Sequence, residues 1–281
     1  MPFYVINKLS CYNFIGDKMK KNKLLIIYFL LLVIGVYALF RAYNVEEFYG
    51  EIYLKVLKAS ALLLMYIVPA IMLGIFLAKK YKGSTKLFFF TIFTGAFITL
   101  SISIYANEAI ENGFRYFLKE DTFYSWQDAL SSPYTEEILK MGSAVLCMVI
   151  LNAKKKVDFL LSGFGVGLGF QIMEDIGYII PYDSTYDEIS MIINNSMDRI
   201  KGALGSHMIY SAVFMMGLYY YSRGEKLKGL LLMLAVMVNH FMWNMPLATT
   251  LVDIIAIVMV VIIFVVEIIK IQKESNLPKN L

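Results

Sequence analysis

Tyr134-Thr135-Glu136-Glu137-Ile138-Leu139-Lys140 opens a run, residues 141–151, that is apolar enough to cross a membrane. Two adjacent carboxylates and a lysine are costly there, because a charged group in hydrocarbon costs on the order of 2.5–3.5 kcal/mol on insertion scales. A helix that only had to span a bilayer would not carry them. The stretch therefore predicts a buried polar centre, and other membrane helices have to supply its remaining groups.

The composition is typical of a helical protein that crosses the membrane several times. The 281 residues are 59% hydrophobic and 17% charged, with a mean hydropathy of +0.63. Soluble domains are about 45–50% apolar and about 25% charged, so one soluble core of this size could not hide the excess. We therefore expect an all-α transmembrane bundle in a lipid bilayer. No Lys/Arg-rich run is interleaved with aromatic residues, so no nucleic acid partner is expected.

A scan with a window of about 20 residues predicts about eight membrane spans. The predicted spans cover residues 24–41, 59–78, 87–106, 134–151, 157–180, 203–221, 227–245 and 247–269. The segments 107–133 and 182–202 are predicted to be the longer outer loops, although short interfacial helices are an alternative there.

The charges of successive loops predict the orientation of the chain in the membrane. The N-terminal segment, the loops after spans two, four and six, and the C-terminal tail are rich in lysine and arginine, whereas the loops after spans one, three and five are acidic. With eight spans, all five basic segments lie on the same side. Both termini are therefore predicted to face the cytoplasm.

This topology brings the polar residues of four spans to a similar depth in the outer leaflet. The fourth span begins beside the first acidic pair, and the fifth carries a second acidic pair about 8–9 Å below its outer end, at 1.5 Å per residue. The residues concerned are Glu136, Glu137, Glu174, Asp175, His207, His240 and Asn244. Their convergence is the main functional signal in the sequence.

Each of these residues also has a purely structural interpretation. Glu136 and Lys140 are an i,i+4 pair whose charges could neutralise one another, and the second acidic pair could be paired with Arg199 or Lys201. A single histidine in a membrane helix is more often a hydrogen bond between helices than a catalyst. The glycines at 163, 165, 167 and 169 favour close helix packing.

The residue types at this site suit hydrolysis by activated water. A buried glutamate can act as a general base, and histidine and asparagine side chains can donate to an oxyanion. The same glutamates and histidines could instead hold zinc with an open position for water. No HExxH, GxSxG or Walker sequence is present, which disfavours the mechanisms that depend on those motifs.

The order and spacing of these residues resemble the motif series of the PrsW family of intramembrane proteases. The matching elements are Glu136-Glu137-x-x-Lys140, Phe170-x-x-x-Glu174-Asp175, Arg199 leading to His207, and His240-x-x-Trp243-Asn244. This family is similar to the type II CAAX prenyl proteases and the bacteriocin-immunity proteins. The CAAX branch has a histidine where Glu174 stands, which favours the PrsW branch.

The resemblance implies a glutamic-type protease that works without a metal, with zinc as the alternative cofactor. Glu136 or Glu137 would activate water, and His240 and Asn244 would bind the oxyanion. Glu174 and His207 would orient the water or the base, and the supporting residues would be Lys140, Phe170, Asp175 and Arg199. The substrate implied is a membrane-anchored protein of the anti-sigma-factor type, cut on its extracytoplasmic side.

We therefore expect one integral membrane domain, 1–281, in a bacterial plasma membrane. Residues 24–130 would hold spans one to three and an outer loop, 131–246 a catalytic four-helix core, and 247–281 the last span and cytoplasmic tail. Two non-enzymatic alternatives remain, a proton-coupled transporter and an immunity or sensor protein. The inner halves of spans four to seven carry few ionisable residues, which argues against a proton path.

Overall fold

The computed structural model describes residues 18–43, 50–180, 188–247 and 249–276. Within these ranges the chain is helical apart from short turns, and no strand is present. The α-helices are α1 Lys18–Tyr43, α2 Gly50–Ser60, α3 Leu64–Lys80, α4 Thr85–Phe93, α5 Leu100–Arg115, α6 Glu120–Leu151, α7 Lys156–Ile179, α8 Glu188–Gly202, α9 His207–Ser222, α10 Lys226–Asn244 and α11 Thr250–Asn276. The all-α prediction is confirmed.

Six segments of the described chain are long and apolar enough to cross a membrane. They are Asn22–Tyr43, Leu54–Lys80, Thr85–Arg115, Lys156–Ile179, Lys226–Asn244 and Thr250–Asn276. The other two predicted spans fall on α6, whose apolar half carries the first acidic pair, and on α9, which has only 16 residues. The count of eight spans therefore stays a prediction.

The orientation of the chain also stays a prediction. Part of the charge pattern behind it, in residues 1–17, 44–49, 181–187 and 277–281, lies outside the described residues. Below, the end of the bundle that carries Glu136 is called the site end.

The segment 107–133, for which a long outer loop was predicted with short helices as the alternative, is largely helical. Helix α5 continues to Arg115, and α6 begins at Glu120 and runs through Pro133. Carboxylates in the first turn favour a helix start, because they interact with the positive end of the helix dipole, and Glu120 and Asp121 occupy that turn. The polar composition of this segment hides a helix from any search for apolar runs. The second predicted loop, over 182–202, contains helix α8.

Two pairs of glycines place α7 in backbone contact with helices on both sides. A Cβ at Gly163 would lie 2.2 Å from Ser211 O on α9, and a Cβ at Gly167 would lie 2.1 Å from His207 O on the same helix. A Cβ at Gly169 would lie 1.8 Å from Ile92 O on α4, and Gly165 faces the same helix. The packing interpretation of these glycines is confirmed, and the contact with α9 brings His207 close to the polar face of α7.

A π-helical turn, Thr94–Thr99, joins α4 to α5 beside α7. A Cβ at Gly95 would lie 1.9 Å from Val166 O, so this turn also packs directly on the α7 backbone. The turn leads into α5, which carries Asn107 towards the site end.

Candidate active site

Lys140 is the centre of the buried cluster, and its side chain has no solvent exposure. Its Nζ lies 3.1 Å from Glu136 Oε2, 3.0 Å from Glu137 Oε1 and 2.7 Å from His207 Nδ1. An ammonium group has three N–H donors and no acceptor, so the three neighbours use all of them. His207 Nδ1 therefore accepts, and the proton of the neutral imidazole lies on Nε2.

His207 connects the first acidic pair to the second. Its Nε2 lies 3.0 Å from Glu174 Oε2 and donates to that carboxylate. The ring of Phe170 packs edge-on against His207 with centroids 4.9 Å apart, and Lys140 Nζ lies 3.9 Å from the centroid of the same ring. Three helices, α6, α7 and α9, thus meet around one lysine and one histidine.

Arg199 neutralises the second acidic pair from α8. Its Nη2 donates to Glu174 Oε2 at 2.8 Å, and its Nε donates to Asp175 Oδ1. Asp175 also accepts a hydrogen bond of 2.7 Å from the hydroxyl of Tyr66 on α3. The guanidinium lies 4.4 Å from the centroid of the Tyr178 ring, which is a cation–π contact.

His240 on α10 reaches the cluster with an unpartnered atom. Its Nδ1 is buried, has no hydrogen-bond partner among the described residues, and lies 3.4 Å from Glu137 Oε1 without forming a hydrogen bond. Its ring centroid is 5.1 Å from that of His207. Asn244, one turn later, donates to the backbone oxygen of Asp128 at 3.4 Å.

A cavity of about 340 Å³ opens beside these residues. Its wall includes Glu136, Glu174, Arg199, His207, His240 and Asn244. Glu137, Lys140 and Asp175 lie behind the wall with no exposed surface. The structure therefore brings all the residues selected from the sequence to one place and separates them into a cavity-facing set and a buried set.

The structure also brings in residues that the sequence interpretation missed. Asn107 on α5 donates through Nδ2 to Glu136 Oε1 at 3.0 Å. Ser211 on α9 lies 3.3 Å from Glu137 Oε2, and Tyr66 holds Asp175 as described above. Asn107 was assigned to a loop and Tyr66 to a span without a role. A polar residue directly after an apolar span was the available signal for Asn107.

These features are those of a membrane-embedded helical bundle with an acid–base cluster on the wall of a cavity, as expected of an intramembrane hydrolase. The family model described as PrsW family intramembrane metalloprotease matches residues 83–268, and the chain belongs to this family. The resemblance found in the motifs is confirmed. No curated protein and no solved structure matches the chain.

Membership in this family establishes the protein as a multi-pass membrane protease. Its substrate is accordingly a protein within the membrane, and the bilayer is its working environment.

The family description implies a metal, and the cluster contains donors of a suitable type. Donor atoms of Glu136, His207 and His240 lie within 4.8 Å of one another, and carboxylate and imidazole groups are usual zinc ligands. The arrangement does not fit a metal as it stands, however. Both nitrogens of His207 already have partners, and the Lys140 ammonium holds one of them together with Glu136 Oε2. A second cation there would be repelled by the first.

Proposed function

We propose that the protein cuts a peptide bond of a membrane-anchored, anti-sigma-factor-like protein on its extracytoplasmic side, using water activated by Glu136. The observation that carries the proposal is the position of Glu136. It is the member of the first acidic pair that lies on the cavity wall, whereas Glu137 is buried behind it. A general base has to reach the water directly, so Glu136 is the better candidate of the two.

Glu136 keeps free acceptor sites although two donors already hold it. A carboxylate offers about four lone-pair sites. Lys140 occupies one on Oε2 and Asn107 one on Oε1. The remaining site on Oε1 can accept a hydrogen bond from a water molecule in the cavity.

The reaction then follows the general course of amide hydrolysis. The water oxygen attacks the scissile carbonyl carbon while its proton moves to Glu136, and the carbonyl oxygen becomes an oxyanion. Protonated Glu136 next gives its proton to the amide nitrogen as the C–N bond breaks. This returns the carboxylate and releases an acid and an amine.

His240 and Asn244 are the proposed donors to the oxyanion, because both residues lie on the cavity wall and both side chains carry N–H groups. His207, held between Lys140 and Glu174, positions the lysine that holds Glu136.

A metal-dependent protease is the second candidate, favoured by the cluster of Glu136, His207 and His240. It requires Lys140 to leave its present position. Membership in a protease family argues against the two non-enzymatic alternatives, the transporter and the immunity or sensor protein.

The test uses purified protein in detergent with single-span substrates that carry extracytoplasmic tails, with and without a strong chelator. Fragments are identified by mass. We expect cleavage that survives the chelator and is lost in Glu136→Gln but kept in Glu108→Gln, an exposed glutamate on α5. Cleavage that is lost in chelator and restored by zinc would replace the mechanism with the metal-dependent one. Normal cleavage by Glu136→Gln would exclude Glu136 as the base.

A further inference from the structure

Two side chains donate hydrogen bonds to Glu136, Lys140 and Asn107, and of these two only Lys140 belongs to the sequence motifs. Lys140, which is fully buried, holds Oε2 from the interior. Asn107 lies on the cavity wall and holds Oε1 at 3.0 Å. Oε1 is therefore held by a residue of the cavity wall, and Asn107 is the neighbour that fixes its direction.

The orientation of the Asn107 amide follows from Glu136 and Thr135 together. An ionised carboxylate can only accept, so the amide nitrogen faces Glu136 Oε1. The Thr135 hydroxyl lies within hydrogen-bond distance of two acceptors, Asn107 Oδ1 and, at 3.0 Å, Ser131 O, and it supports this orientation when its proton points to Asn107. The amide nitrogen also lies 3.4 Å from Ser132 Oγ. A flipped amide would turn its oxygen towards the carboxylate and would lose the hydrogen bond to Glu136.

Thr135 directly precedes Glu136 in the sequence. One turn of α6 thus carries both the proposed base and the hydroxyl that orients the partner of that base. The partner itself comes from α5, a helix outside the four-helix core expected from the motifs. The terminal torsion of a glutamate side chain has broad minima, so the carboxylate needs such partners to keep one direction.

We propose that Asn107, oriented by Thr135, is a positioning residue that holds the Glu136 carboxylate with Oε1 turned towards the attacking water. This inference rests on the proposed function, in which Glu136 is the base. It makes α5, which continues the helix of the third predicted span, part of the catalytic apparatus, because Asn107 on α5 fixes the direction of the base. Misplacement of a reacting group by about 1 Å can cost about 10²-fold in rate, so the expected effect is on kcat.

A purely structural role for the same hydrogen bonds makes a different prediction. Asn107 and Thr135 would then only join α5 to α6, and their loss would lower the unfolding temperature while the folded enzyme kept its kcat. The two roles are separated by measuring kcat, KM and thermal unfolding on the same preparations.

The experiment compares Asn107→Leu, Thr135→Val and Thr135→Ser with the wild type, using a substrate that the wild type cleaves. Asn107→Leu and Thr135→Val remove the amide and the hydroxyl with little change in volume. We expect kcat to fall by about 10²-fold and about tenfold respectively, with KM within about twofold of wild type. Thr135→Ser keeps a hydroxyl and should restore most of kcat.

Thr99→Val is the matched control, because the buried Thr99 hydroxyl bonds, among the described residues, only the backbone oxygen of Thr94 in its own helical turn. It should keep kcat and KM. The inference is overturned if folded Asn107→Leu and Thr135→Val keep kcat within about twofold of wild type, or if Thr135→Ser is no better than Thr135→Val. If Asn107→Leu does not fold, the two Thr135 variants still decide.

Glu136→Gln, measured in parallel, separates this inference from the proposed function. Normal cleavage by Glu136→Gln would overturn both, whereas its inactivity together with fully active Thr135→Val and Asn107→Leu would overturn the positioning role alone.

Discussion

The two acidic pairs of the bundle are neutralised in different ways. The first pair, Glu136 and Glu137 on α6, has its cation on the same helix, and Lys140 is completely buried. The second pair, Glu174 and Asp175 on α7, takes its cation from α8, and the Arg199 side chain is 25% exposed. The charge of the first pair is compensated as soon as α6 forms a helix, whereas the charge of the second pair is compensated only when α8 packs against α7.

The charge balance of the first pair is therefore built into one helix, whereas the charge balance of the second pair depends on the packing of two helices. A buried charge that loses its partner is strongly destabilising, because its desolvation is no longer compensated. A partly exposed ion pair is worth less, since water can replace the partner. Breaking the first pair should therefore cost more than breaking the second.

The largest effect is expected from Lys140→Met, which leaves two carboxylates buried without a cation. We expect a loss of about 3–5 kcal/mol in the free energy of unfolding, measured by denaturant titration of the protein in detergent. The double variant Lys140→Met with Glu137→Gln should recover part of this loss, because it removes one of the two buried carboxylates that lack a cation. If Lys140→Met alone is as stable as wild type, the two carboxylates are not charged in the folded protein.

Glu137→Gln separates the roles of the two glutamates in the first pair. It removes a charged acceptor of Lys140 and Ser211, so we expect a loss of about 1.5–3 kcal/mol in unfolding free energy. Because Glu137 lies behind the cavity wall, this variant should keep at least about tenfold more activity than Glu136→Gln, which lacks the proposed general base. Equal inactivity of the two folded variants would contradict the assignment of the base to Glu136.

Arg199→Gln tests the second pair. Asp175 would still accept from Tyr66, and Glu174 from His207, so we expect a smaller loss, about 2 kcal/mol. Limited proteolysis should show faster cutting within α8, which loses its ionic contact with α7. Lys201→Gln is the control on the same helix, since its pair with Asp198 is exposed and should contribute less than about 1 kcal/mol. If the two variants are equally stable, Arg199 does not secure α8.

Tyr66→Phe should have the smallest effect. It removes one hydrogen bond to Asp175, whose carboxylate keeps Arg199 as a partner, and we expect a loss of about 1 kcal/mol in unfolding free energy. Combined with Arg199→Gln, it should cost more than the sum of the two single changes, because Asp175 would lose both partners described here. A strictly additive double variant would mean that another group compensates Asp175.

The sequence predicted the helical class and most membrane segments because apolar runs of sufficient length have few other solutions. It failed over 107–133, where the helices are polar and hydropathy gives no signal. The motif residues were selected correctly as a spatial group, since alternating span directions bring their ends to one level. Their roles in catalysis remain proposals.

Other features of the site could not be obtained from the sequence. The difference between Glu136 and Glu137 depends on the rotation of α6 relative to the cavity, and two adjacent glutamates look alike in a motif. The contribution of Asn107 depends on how α5 packs beside α6, a contact between segments 29 residues apart. Likewise, Tyr66 lies 109 residues from Asp175, and nothing in the local pattern of either segment indicates the pairing.

The glycine contacts of α7 have a mechanical consequence. A peptide bond has to enter the cavity before it can be cut, and the glycines of α7 bring this helix into backbone contact with α4 on one side and α9 on the other. Such close contacts leave α7 little room to shift. We therefore expect the cavity walls on α1, α6 and α8 to move when a polypeptide enters.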